Sequence, residues 1–163
     1  MLTFHFGSYS GLLASLADSL NRRQTEELRK FNGWKASSPL DIVVSFFLEL
    51  ARLDLNPKYR LLRKQAGKVS WNWDAAKEAA LSMSYVNLLK PLRKRLDFDK
   101  DICAVDFTDI RPDDVMQSLW SIYQQPLRLA LINALGVAPS LENLLEAIEK
   151  QIRPKFALIL KSK

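Results

Sequence analysis

The chain has 163 residues, 48% hydrophobic and 26% charged, with 24 basic and 18 acidic side chains and a net charge of +6. That balance is ordinary for one globular domain with a buried core, and disorder is not expected away from the two ends. Five glycines leave no room for a phosphate-cradling loop, one cysteine excludes an intrachain disulfide, and one histidine leaves little for acid–base chemistry.

Met1–Gly7 has no early basic residue and no long apolar run, so no secretory signal is expected. The longest apolar stretch, Ile42–Leu48, is far short of the ~20 residues that span a bilayer. A cytoplasmic protein is the expectation.

Apolar residues recur at helical spacing almost throughout. A first helix opens at Ser10, with Leu12, Leu13, Leu16, Leu20 and Leu28 on one face. Phe31-Asn32-Gly33 ends it, with Gly33 as a left-handed cap. Ser38-Pro39 starts a second helix: Ser38 caps, Pro39 takes the first helical position, and Asp41 lies in the first turn. This helix reaches about Leu53, is apolar nearly all round and belongs at the centre of the fold.

Asn56-Pro57 breaks the chain. A short basic helix follows over about 58–66, closed by Gly67. Asp74 caps a helix beginning Ala75-Ala76-Lys77-Glu78 and continuing through Leu88 and Leu89; Pro91 either kinks it or starts a new basic turn. Residues 97–109 are not helical in pattern, and Ile102–Val105 reads as an extended segment or a surface loop. Arg111-Pro112-Asp113-Asp114 opens another helix, which Pro126 bends or divides. Ser140 caps a final helix through Leu141, Leu144, Leu145, Ile148 and Ile152, with a kink at Pro154. The expected architecture is all-α, a compact helical bundle of five to seven helices, in a single domain over 1–163 with a sub-boundary near 97–110.

Charge is strongly partitioned along this frame. Residues 58–95 hold ten bases (Lys58, Arg60, Arg63, Lys64, Lys68, Lys77, Lys90, Arg93, Lys94, Arg95) against Asp74 and Glu78. Residues 96–149 hold three bases and ten acids. Arg60, Lys64 and Lys68 are four apart on one helical face with Arg63 beside them, and Lys90, Arg93 and Lys94 share a face in the same way. Such rows match the repeated phosphates of a nucleic-acid backbone, and a solvated helix face is the alternative. Trp71 and Trp73 lie between the rows, with Tyr59 and Tyr85 near, and either staple a helix to the core or stack on bases and guanidinium groups. Arg22, Arg23, Arg29 and Lys30, and Lys155 in the basic C-terminal segment, are secondary candidates for nucleic acid. Asp97, Asp99, Asp101, Asp106 and Asp109 are candidates for a protein interface.

No catalytic or metal site is expected. His5 lies near a terminus, and Cys103 sits in an apolar tetrad as a small hydrophobe. Asp97-Phe98-Asp99-Lys100-Asp101 opens like a calcium loop, but Ile102 stands where the turn needs glycine and Thr108 where it needs the bidentate glutamate. Asp106, Asp109, Asp113 and Asp114 are clustered as in magnesium sites, yet the last two are better explained as first-turn helix residues.

The capping pattern at Ser38-Pro39, the basic segment 58–95, Trp71-Asn72-Trp73-Asp74 and the basic C-terminal helix together make the chain resemble the small subunit of type I CRISPR surveillance complexes (Cascade), in its type I-D form. The resemblance is one of architecture and charge over most of the chain and transfers no residue by motif. It implies several stacked copies beside other subunits, steadying a guide RNA–target DNA duplex or a displaced strand, with no cofactor and no small-molecule substrate. The competing expectation is a protein–protein adaptor whose basic segment meets an acidic partner.

Overall fold

Ser38 shows how directly local chemistry sets the helix boundaries. Its backbone is extended (φ −126°, ψ 151°), its Oγ accepts from the Asp41 amide at 3.1 Å, and Pro39 takes the first helical position, as expected. The computed structural model describes residues 9–36, 38–69, 75–96, 102–103, 111–133 and 139–161. Among these, the α-helices are α1 (Tyr9–Leu28), α2 (Pro39–Asp54), α3 (Arg60–Val69), α4 (Ala75–Leu96), α5 (Pro112–Asn133) and α6 (Leu141–Ala157), with one 3₁₀ turn at Gly33–Lys35. The fold is all-α.

Helix α2 is the central element, burying Leu40, Ile42, Val43, Val44, Phe46, Phe47, Leu50 and Ala51. It packs chiefly on α6, and α6 packs in turn on α5; α1 packs on α3 and α4. The core is one cluster drawing on Leu88, Leu92 and Leu96 before residues 97–110 and on Val115, Leu119, Tyr123, Ile148 and Phe156 after them. An unbroken run of ring contacts threads it: Phe31 to Trp34 (4.9 Å) and Phe46 (6.0 Å), Phe46 to Phe47 (5.7 Å), and Phe47 to Tyr123 (4.9 Å), Phe156 (5.2 Å) and Trp120 (6.4 Å).

Four local expectations are corrected. The buried stripe of α1 runs Leu13, Ala17, Leu20, Gln24, Leu28, while Leu16 is 38% exposed. Gly33 is not a left-handed cap. It opens the 3₁₀ turn, and a Cβ there would lie 2.1 Å from Cζ of the Phe31 ring, so contact rather than backbone hand demands glycine. Gly67 does not end α3, which runs through it to Val69. Pro91 starts no new element: α4 continues to Leu96, and Pro126 and Pro154 likewise lie inside α5 and α6. Each proline removes one intrahelical donor from the carbonyl four residues earlier. For Pro91 and Pro154 that residue, Asn87 or Lys150, is exposed to water.

Ser140 caps α6, accepting from the Asn143 amide at 3.2 Å. Cys103 is half-buried against the core and extended, forming an isolated antiparallel bridge with Leu160, and the Lys161 amide donates to the Ile102 carbonyl at 2.8 Å. The remainder of 97–109 lies outside the described residues, as do His5, Trp71, Trp73 and Asp74.

Candidate nucleic-acid interface

The two basic rows are carried by the two helices that pack most against α1. On α3, Arg60 and Lys64 are one turn apart, and neither is in ion-pair contact with a carboxylate of the described residues. Lys68 continues the same helix. On α4, Lys90 and Lys94 are exposed and equally unpaired among the described residues. Arg29 and Lys155 are exposed cations of the same kind.

Other cations in the predicted set have partners. Arg93 Nη1 is 2.8 Å from Asp113 Oδ1, at the first turn of α5. Arg95 Nη2 donates to the Trp34 carbonyl at 3.1 Å, tying the end of α4 to the 3₁₀ turn. Arg22 pairs with Asp18 at 2.5 Å and Lys30 with Glu27 at 3.6 Å, both within the α1 segment and its C-terminal turn. Arg23 and Lys58 lie 5.4 and 5.5 Å from the centroid of the Tyr59 ring, so Tyr59 stacks on a guanidinium of its own chain.

Arg63 departs from the expected phosphate row. Its side chain is 11% exposed and turns inward, where Nε lies 2.6 Å from Asp54 Oδ1. Its Nη2 donates to Asn21 Oδ1 at 2.6 Å and to Gln24 Oε1. Gln24 Nε2 completes the ring by donating to Asp54 Oδ1 at 2.5 Å. Asn21, Gln24 and Asp54 are all buried. A guanidinium so engaged is a structural ion, since drawing it out to a phosphate would leave Asp54 buried and uncompensated. Tyr123 is fully buried beside the same carboxylate; burial, and then the Asp54 charge, push its hydroxyl well above the usual range and keep it protonated.

Asp54, Asn21 and Gln24 are not among the expected site residues, although a signal for them exists. Phe47, Ala51 and Asp54 recur at i, i+4 and i+7 on the core face of α2, and Asn21 and Gln24 interrupt the apolar stripe of α1. Polar groups on a buried face must find one another.

A small cleft between Arg23, Gln24, Glu27, Tyr59 and Arg63 has a volume of about 30 Å³, far below a ligand pocket. Among the described residues, no group of three or more His, Cys, Asp or Glu could hold a metal ion, and no helix is long and apolar enough to cross a membrane. Asp113 and Asp114 occupy the first turn of α5, as expected, where Asp114 Oδ2 also accepts from the Arg111 amide at 3.3 Å. The interface candidates Asp97, Asp99, Asp101, Asp106 and Asp109 lie outside the described residues. In comparisons with protein-family models, with characterised proteins and with solved structures, nothing matches the chain.

Proposed function

We propose that this chain is a non-catalytic nucleic-acid-binding subunit of a larger ribonucleoprotein, gripping the phosphate backbone without reading base sequence. One observation carries the reading. Among the cations of α3 and α4 whose side chains the structure describes, those that remain after internal pairing is counted, Arg60, Lys64, Lys90 and Lys94, form two one-turn pairs on the two helices that pack most on α1. Surface cations of a merely solvated face tend to find neighbouring carboxylates, as Arg22 and Lys150 do here. Rows without such neighbours suit a polyanion. The assembly in view is a CRISPR surveillance complex, with stacked copies of a type I-D-like small subunit along guide RNA and target DNA. Asp97, Asp99, Asp101, Asp106 and Asp109 would then meet the neighbouring protein.

The test is fluorescence anisotropy with single-stranded RNA, single-stranded DNA and duplex DNA between ~50 and ~200 mM salt. Binding that weakens steeply with salt is expected. Replacing Arg60, Lys64, Lys90 and Lys94 together by Ala should flatten the log–log slope for duplex by about 3 to 4, near 0.9 for each phosphate no longer neutralised. No mobility or anisotropy change with any nucleic acid at ~50 mM salt would discard the reading in favour of an adaptor for an acidic protein.

A further inference from the structure

We infer that Asp54, a buried acid, is the positioning residue for the basic helix α3, and so sustains polyanion binding through a residue that touches no phosphate. The inference rests on the nucleic-acid reading above and deepens it.

Helix α3 is held differently from its neighbours. Among its described side chains, none is fully buried and none joins the hydrophobic core, and Leu61 is 56% exposed. Arg63 reaches inward, and its partners lie on two other helices: Asn21 and Gln24 on α1, and Asp54 on α2. Asp54 is 4% exposed and also accepts from Gln24. A guanidinium fork that donates to two side chains of α1 and is ion-paired with a carboxylate of α2 defines both the axial position and the rotation of the helix that carries it. A buried ion pair is weak evidence for stability, and in some proteins such groups fix the arrangement of elements instead. Arg60 and Lys64 flank Arg63 on the same ten-residue helix, so their placement depends on the same anchor.

The sign of the effect separates this from simple electrostatics. Removing a negative charge should tighten binding of a polyanion to a basic protein. If Asp54 positions α3, its removal weakens binding instead. The experiment compares wild type, Asp54→Asn, Arg63→Lys, the pair Arg60→Ala/Lys64→Ala, and that pair combined with Asp54→Asn. Anisotropy with duplex DNA is read against salt, and amide hydrogen exchange is read helix by helix without DNA. Arg63→Lys keeps the charge without the fork, and guards against an Asp54 variant that fails to fold.

Asp54→Asn should weaken binding several-fold and flatten the salt slope by about 2, as the Arg60/Lys64 pair does. Adding that pair to Asp54→Asn should cost nothing more, because Arg60 and Lys64 no longer reach the phosphates once α3 is displaced. Exchange should rise in residues 60–69 for Asp54→Asn and Arg63→Lys and stay unchanged in α2 and α6. Unchanged or tighter binding of Asp54→Asn, full additivity with the pair, or exchange that rises equally in every helix overturns the assignment. If wild type binds no nucleic acid, exchange alone decides: a rise confined to α3 keeps Asp54 as its anchor while the functional reading falls, and no rise overturns both.

Discussion

Arg153 Nη1 lies 2.8 Å from Asp41 Oδ1, joining the last helix to the first turn of the central one across 112 positions of sequence. The Arg153 hydrogen bond first, and then the Ser38 hydroxyl at 2.7 Å, hold the Asp41 carboxyl below its ordinary value of 3.8. A carboxylate whose folded pKa is depressed contributes stability that is complete above the unfolded value and is lost as pH falls through the folded one. Both side chains are about two-fifths exposed, so solvent screens the pair. Asp41→Asn should lower stability by about 0.5 to 1 kcal/mol at pH 7, and the gap from wild type should close as pH drops below 3.8. Urea unfolding across that range measures it, and a gap independent of pH would contradict the assignment.

Phe47 meets Phe46, Trp120, Tyr123 and Phe156 and is fully buried. Phe47→Ala removes the ring at which α2, α5 and α6 join, with a cavity left behind. A loss of about 3 to 5 kcal/mol is expected in denaturant titration. A loss under about 1 kcal/mol would mean that the ring is not central to the packing.

Gly33→Ala introduces a methyl 2.1 Å from the Phe31 ring, which is itself braced by Trp34 and Phe46. The ring must move, at a cost of about 1 to 3 kcal/mol. Combining it with Phe31→Leu should cost less than the sum of the two single changes. Thermal unfolding of the three variants gives the coupling directly.

Asp113 neutralises Arg93 beside the α4 row. Asp113→Asn frees that cation and removes a negative charge, so nucleic-acid affinity should rise about two- to fivefold at low salt, the range of an exposed pair. The gain should fade as salt screens it. Anisotropy at ~50 mM and ~200 mM salt is the measurement, and an equal gain at both would point to a change in shape instead.

Capping chemistry makes much of the fold legible in the sequence. Ser38, Ser140 and the Pro112-Asp113-Asp114 start each act within one helical turn, so neighbours in sequence suffice to define them. Gly33 and the helical prolines are harder to read because their reasons lie farther away: a folded-back Phe31 ring for the glycine, and packing that outweighs one missing hydrogen bond for Pro91. The basic rows are visible as i,i+4 spacing, but the direction of each side chain is not. Arg60, Arg63 and Lys64 look alike in a charge count, and only the burial of Asp54 separates the middle one from its neighbours.

The ring chain from Phe31 through Phe46 and Phe47 to Phe156 gives the protein a spectroscopic asymmetry. Rings fixed at set angles 5 to 6 Å apart are the source of near-ultraviolet circular dichroism, which vanishes when packing loosens while far-ultraviolet signal persists. No ring of that chain belongs to α3, and Tyr59 beside it pairs with cations instead. Release of the basic helix alone would therefore leave that ring packing in place, and its signal would be lost only when the core melts.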